Sequence, residues 1–316
     1  MLSYVIRRVL LMIPTLFFVA LITFVLAHSA PGSPFDKNEN RPLPEKTIER
    51  LNRLYGIDQP IQVQFALYLN NLVHLDLGSS LVKDRTVADI IGSEFPVSAQ
   101  LGVQALLLAL AVSLPLGVIS ALKQNTGVDY ASLLFATIGT TIPSFVIAIF
   151  AIWIFGVYLN WVPFLGWGRG CGPLPSCDWK RMILPTIILS LGAMAFLTRI
   201  TRASMLEAVR QDYVRTARSK GLREQVVIVG HVVKNAMIPV ATIVGPATAG
   251  LITGSFIIET MFSIPGLGRD FVLSINRRDY PLIMGVYMLY ATLIVIANLT
   301  VDIVYAWLDP RIKLSK

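Results

Sequence analysis

Residues 101–122 read LGVQALLLALAVSLPLGVISAL, without one charged side chain. A helix needs about 20 apolar residues to cross a hydrocarbon core roughly 30 Å thick, so this stretch fits a membrane span from end to end. Five more runs share its character: Val9–Ala27, Ala131–Leu159, Met182–Ile200, Met237–Ile258 and Leu282–Val301. Backbone amides in lipid must pair within the segment, and the strands of a barrel would alternate polar and apolar positions, which these runs do not. The expected fold is therefore an all-α membrane protein with six transmembrane helices. Ala131–Leu159 is the longest run and has Pro143 near its middle. One tilted or kinked helix is expected there, because either half alone is too short to cross.

Composition agrees. Of 316 residues 54% are hydrophobic and 15% charged, and mean hydropathy is +0.65. A soluble domain carries about a quarter charged residues. The net charge of +8 suggests nucleic acid only until its distribution is read. Arg7, Arg8, Lys123, eight bases between Arg199 and Lys234, and Arg311, Lys313 and Lys316 fall on one side, against Asp129, Glu207, Asp212, Glu224 and Asp309. The opposite side balances at thirteen bases and thirteen acids. Short cytoplasmic loops are enriched in Lys and Arg, so the excess is topology: both termini are expected in the cytoplasm, the partner surface is membrane lipid, and no nucleic acid is implied. Val9–Ala27 ends at Ala27-His28-Ser29, as a secretory signal would, but its 19 residues exceed the usual signal core of about 7–15. It is expected to remain as a span.

The expected organisation is a first span with its N-terminus over 1–27, an external loop or cap over 28–100, a five-helix membrane core over 101–309 with a cytoplasmic loop at 199–236, and a tail over 310–316. The external loop opens on Pro31-Gly32-Ser33-Pro34, which stops the first helix. Helical spacing follows at Pro44–Tyr55 and again at Ile61–Val73, the latter with Val63, Phe65, Leu67 and Leu69 available for burial. Such a loop covers a pore mouth, docks an external partner, or packs on the spans. Cys171 and Cys177 lie in the second external loop, on the oxidising side in bacteria, with Gly172, Pro173 and Pro175 between them. A local disulfide and two free thiols are both compatible with that pattern. His28, His74 and His231 have no metal-ligand spacing, so no metal site is expected.

In the fifth run Ala241, Gly245 and Ala249 recur every four residues, and Gly250 and Gly254 form a second pair. Small residues at that spacing let helix backbones approach closely in lipid, within one bundle or against a second subunit. Pro115, Pro143, Pro185 and Pro246 add bends. The cytoplasmic loop is the one segment whose composition asks for a protein partner outside the lipid. Leu206, Val209, Tyr213 and Ala217 recur at helical spacing among Arg210, Arg215, Arg218 and Lys220; Gly221 ends the run, and a second helix from Leu222 carries Val226, Val229 and Val233. This is a helix–glycine–helix elbow; pattern alone also allows an interfacial helix on anionic headgroups.

The stretch Asp212-Tyr213-Val214-Arg215-Thr216-Ala217-Arg218-Ser219-Lys220-Gly221-Leu222 resembles the cytoplasmic loop of permease subunits from bacterial binding-protein-dependent ABC importers, above all the B-type permease subunit of the oligopeptide, dipeptide and nickel branch. The resemblance runs nearly the whole chain, through Ala30-Pro31-Gly32-Ser33-Pro34, Leu54-Tyr55-Gly56-Ile57-Asp58-Gln59-Pro60, Asp76-Leu77-Gly78-Ser79-Ser80, the block from Glu259 to Gly268, Arg278-Asp279-Tyr280-Pro281, Val301-Asp302 and Asp309-Pro310-Arg311. Two features depart from the wider importer loop: Arg215 and Thr216 stand where Glu-Ala is usual, and Pro239 comes five residues late.

The resemblance implies a type I importer permease forming half of a translocation pore. Its implied partners are a second, homologous permease subunit (a heterodimer), two cytoplasmic ATPase subunits and an external substrate-binding protein. It implies an elbow seated in an ATPase groove, with Tyr213 and Ala217 as packing anchors, Gly221 as the turn, Arg215, Arg218 and Lys220 as polar contacts, and Asp212, Thr216 and Leu222 in the same surface. Oligopeptide is the substrate the resemblance favours, with dipeptide, glutathione, a nickel chelate or a peptide antibiotic as alternatives. The substrate path is not legible; Thr253, Ser255 and Asn298 are merely polar in apolar runs. No Lys follows a Gly, so the phosphate-cradling Gly-Lys-Ser/Thr loop is lacking. The chain is expected to bind no cofactor and catalyse nothing, with ATP and Mg on the partner subunits. A proton-coupled carrier would need ionisable groups at mid-membrane, and the six runs have none near their centres.

Overall fold

A computed structural model describes residues 2–29, 56, 58–168, 179–252 and 255–308. Regular structure among them is helical, apart from one antiparallel bridge between Ser79 and Thr86. In chain order the helices are α1 Leu2–Ser29, α2 Ile61–Val73, α3 Val87–Leu122, α4 Gly127–Thr141, α5 Ser144–Ala151 running into a π segment Ile152–Tyr158, and α6 Lys180–Val209. They continue with α7 Asp212–Ser219, α8 Glu224–Val227 with a π segment Ile228–Val233, α9 Lys234–Ile252, α10 Phe256–Met261, α11 Leu267–Arg277 and α12 Tyr280–Leu308. The expected helix at 44–55, both cysteines, Thr253, Gly254 and the tail 310–316 lie outside the described residues.

Among the described residues, five helical stretches are long and apolar enough to cross a membrane: Ile6–Ser29, Val87–Leu122, Lys180–Val209, Glu224–Gly245 and Tyr280–Thr300. Six are reached when the pair Gly127–Thr141 and Ser144–Tyr158 counts as one span, and that pair corrects the expectation of a single kinked helix. The two parts meet at 102°. The cause is local: Pro143 donates no amide hydrogen, and the residue before it, Ile142, is pushed to extended backbone at φ −83°, ψ 125°. The fifth run also differs. The span begins at Glu224 rather than Met237, α9 ends at Ile252, and extended Ser255 (φ −124°, ψ 107°) opens a separate short helix, its hydroxyl accepting from the Ile258 amide at 3.4 Å.

The chain divides into two compact units. In the first, Met1–Val97 with Pro265–Val295, Val87, Ile90, Leu267, Phe271, Leu282 and Val286 form a buried core. Gly285 is needed there because a Cβ would lie 2.6 Å from a Val87 methyl. Thr86 starts α3 as an N-cap, its Oγ1 accepting from the Asp89 amide at 3.1 Å. The external loop, where described, packs on the membrane helices: α2 has the expected bounds, and Phe65 and Tyr68 pack on Phe24, Ala27, Tyr280 and Met284, leaving Val63 and Leu67 exposed. Buried Asp279 accepts from Ser80 Oγ and, at 3.0 Å, from the Leu81 amide, while Lys83 reaches Glu94 at 3.1 Å and Asp270. Asp279→Ala strips both donors of their acceptor. A loss of about 1–3 kcal/mol is expected, read as a lower unfolding midpoint of the detergent-solubilised chain.

In the second unit, Ser98–Ile264 with Ile296–Lys316, three glycines mark close approaches between helices. A Cβ at Gly102 would strike the Leu251 carbonyl oxygen, one at Gly117 would fall 2.6 Å from Thr201 Cβ, and one at Gly139 2.7 Å from Ala195 Cβ. Helices α3, α4, α6 and α9 therefore approach at backbone distance, the packing that replaces a hydrophobic drive in lipid.

Candidate functional site

The elbow is built by the ends of two long helices. At about 1.5 Å per residue the 30 residues of α6 reach about 45 Å, beyond a hydrocarbon core of roughly 30 Å, so one end projects. It stops at Arg210, whose amide turns back to the Glu207 carbonyl at 3.2 Å. Extended Gln211 (ψ 150°) then redirects the chain into α7. At the far end Gly221 has φ +76° and its amide donates to the Arg218 carbonyl at 2.9 Å. This left-handed turn is the conformation for which glycine is suited. Arg223, extended at ψ 138°, starts α8.

One side of the elbow is buried by the chain itself. Val214 and Ala217 of α7 join Met205 and Ala208 of α6, Ala121 of α3, and Val227, Val232 and Ala236 of the returning helix in one apolar cluster. Two expected stripes are thereby corrected. Within α7 the buried face is taken by Val214 and Ala217, so Ala217, at 5% exposure, faces this chain's own core while Tyr213, at 38%, is exposed. In the returning helix the π segment adds a residue to the turn, so Val227 and Val232, five apart, share the buried face. Val226 and Val229, expected on one packing stripe with Val233, are instead exposed; Val233 stays against the cluster.

The other side is open. Asp212, Tyr213, Arg215, Thr216, Lys220, Gly221 and Leu222 are all exposed, and so are Val226 and Val229, the latter at 68%. Arg218 is committed within the chain: Nη2 and Nε donate to Glu224 Oε1 and Oε2 at 2.6 and 3.2 Å, a fork spanning Gly221. The Glu224 carboxylate raises the Arg218 pKa, so the guanidinium stays charged. Arg215 is 3.7 Å from Asp212 in a loose exposed pair.

Among the small residues of the fifth run, Ala241 and Gly250 are exposed and Gly245 is half-buried; Ala249 is helical, and Gly254 is outside the described residues. A Cβ at Gly250 would meet no atom within 4 Å, whereas the close approach to this helix inside the chain is made by Gly102, which the sequence reading did not single out.

The sequence that forms these spans and this elbow matches a known family of membrane transport components. Residues 113–314 match the family described as binding-protein-dependent transport system inner membrane component, and residues 1–102 match the N-terminal part of such membrane components. The chain belongs to that family: it has the type I permease fold and is a multi-pass protein of the bacterial inner membrane. Its relatives include the oligopeptide transport system permease protein OppB of Salmonella typhimurium, 43% identical over 99% of this chain and 100% of that protein. The dipeptide transport system permease protein DppB of Bacillus subtilis is 42% identical over 100% of this chain and 99% of that protein. OppB of Escherichia coli K12 is also 42% identical, over 99% of this chain and its own full length.

Proposed function

We propose that this chain is one permease of an ATP-driven ABC importer for peptides, oligopeptides foremost. It lines half of the translocation pore and alternates between inward- and outward-facing states. The reading carries over from relatives named for oligopeptide and dipeptide transport, and full-length identity near that level supports the same substrate class. A second, homologous permease completes the pore, and the outward small residues Ala241 and Gly250 suit such a contact. An external binding protein delivers the peptide. Two ATPase subunits, which hold ATP and Mg, sit on the cytoplasmic side with both termini of this chain.

One observation carries the mechanism: the elbow is fixed to its own chain by a buried apolar face and leaves other apolar side chains exposed. Buried Val214 and Ala217 tie it to α3, α6 and the returning helix, so a push on the elbow displaces those helices together. Exposed Tyr213, Leu222, Val226 and Val229 form the surface that fits an ATPase groove, as amphipathic helices fit grooves generally. Arg215 and Lys220 flank it and set orientation. The chain's part is mechanical, transmitting a stroke into pore opening.

The test is a double charge substitution on this exposed surface, Leu222→Asp with Val226→Asp, in the reconstituted importer. Burying unpaired carboxylates in an apolar contact is costly. ATPase retention on the purified permease pair, compared at equal amounts of inserted chain, is expected to fall by about tenfold or more, a change of about 1.4 kcal/mol. Full retention of the ATPase would refute the docking face. Uptake by the wild-type assembly driven by a proton gradient without ATP would refute the importer.

A further inference from the structure

A single carboxylate gathers four contacts directly behind the elbow. Asp129, in the first turn of α4, is wholly buried, and Arg202 of α6 has a side chain only 18% exposed. Arg202 Nε donates to Asp129 Oδ1 at 2.6 Å and Nη2 to Oδ2 at 2.8 Å. Ser120 Oγ, in the last turn of α3, donates to Oδ1 at 2.6 Å. The amide of Asn125, left-handed at φ +62° in the α3–α4 corner, donates to Oδ2 at 3.0 Å. The corner is thus closed around one charge, and the forked geometry fixes the direction as well as the distance between α4 and α6.

Its position gives that bond a mechanical consequence. Ala121, next to Ser120, belongs to the apolar cluster that holds Val214 and Ala217, and Met205 of the same cluster follows Arg202 by three residues. On the other side α4 runs from Asp129 to Thr141 and stays against α6, where Gly139 meets Ala195. Beyond it the span turns by 102°. Helix α4 is therefore bound to α6 at both ends, by a buried ion pair near the elbow and by glycine contact near the bend.

We propose that Asp129 and Arg202 are a positioning pair that passes displacement of the elbow into the bent α4–α5 span. Neither residue touches substrate or ATPase. The inference rests on the reading that an ATPase drives the elbow. When α6 and the elbow move, the forked pair makes the start of α4 move with them, and the bend at Pro143 converts that shift into a change in the angle or position of α5. Without the pair, α6 moves while α4 lags, so ATP is hydrolysed without pore opening. A buried charge also has a structural role: removing one partner leaves the other uncompensated. The test has to separate the two.

The experiment uses the full importer in proteoliposomes and reads ATP hydrolysed per peptide taken up, together with the amount of assembled complex. Arg202→Met and Asp129→Asn are expected to raise that ratio about three- to tenfold, within the span of effects of residues that carry coupling between distant sites, with the ATPases still bound. Arg202→Lys keeps the charge, loses the fork, and should fall between. The double variant Arg202→Met with Asp129→Asn removes the uncompensated charge, so assembly should recover while the ratio stays high. A wild-type ratio in any assembled variant, Arg202→Lys and the double variant included, would overturn the proposal, as would recovery of assembly and coupling together. If Arg202→Met fails to assemble, those two variants decide the matter. A wild-type complex that hydrolyses ATP without any uptake would refute the importer itself, and the pair's role with it.

Discussion

Ala217→Trp is expected to cost the importer nearly all its activity, and to do so by dismantling the elbow rather than by obstructing a docking surface. Ala217 is 5% exposed and sits in the cluster formed by Ala121, Met205, Ala208, Val214, Val227, Val232 and Ala236. An indole introduced there has no room without displacing α7 from its own chain. Overpacking of this size costs about 3 kcal/mol, a large share of the stability of a short helix held by two buried side chains. The expected results are faster proteolysis between Val209 and Glu224, a lower yield of folded chain, and loss of ATPase association as a consequence. Tyr213→Ala provides the contrast. Tyr213 lies on the outward face of the same helix, so its truncation should leave proteolysis and yield unchanged and weaken ATPase association alone. Equal proteolysis in Ala217→Trp and the wild type would show that the inward placement of Ala217 is wrong.

That contrast also marks how far the chain could be read as a string of residues. The spans were legible because lipid imposes one strong rule, a run of about 20 apolar residues, and α1, α3, α6 and α12 contain their expected runs. The elbow was legible as a helix, a glycine and a helix, since Gly221 adopts the left-handed turn that its position suggested. Its faces were not. Assigning a face from spacing assumes an uninterrupted 3.6-residue period, and the period is interrupted twice, at Arg210–Gln211 and through the π segment Ile228–Val233. Of the two anchors expected together, Ala217 packs inside its own chain and Tyr213 is exposed. The bend at Pro143 was half legible: the proline was visible, but its effect depends on Ile142 leaving the helical region, and prolines elsewhere, such as Pro185 within α6, are accommodated. The Asp129–Arg202 pair joins residues 73 positions apart; each read locally as one more charge in a topology signal, and no periodicity links them.

The contact between α4 and α6 should be the most sensitive point of the membrane core after the elbow. Gly139→Leu is expected to abolish uptake, and the reason lies in what holds helices together in lipid. Apolar side chains gain little by leaving hydrocarbon for a helix interface, so association depends on close packing. At Gly139 that packing is backbone against side chain: even one added carbon would stand 2.7 Å from Ala195 Cβ and 3.2 Å from the Leu191 carbonyl oxygen, and Ala195 is wholly buried. A leucine has to force α4 from α6 along its length, which breaks the brace on one side of the bend. Gly139→Ala is the milder form, with an expected cost of about 1–3 kcal/mol, and it permits a rescue. Ala195→Gly removes the carbon that the new methyl strikes, so the pair Gly139→Ala with Ala195→Gly should recover most of the thermal stability and uptake lost by Gly139→Ala. The crossing then carries one methyl and one glycine, as in the wild type but on exchanged helices. A rescue restricted to this pair would locate the contact that keeps the bent span aligned with α6. A Gly139→Leu chain with wild-type uptake would mean that the two helices do not meet there.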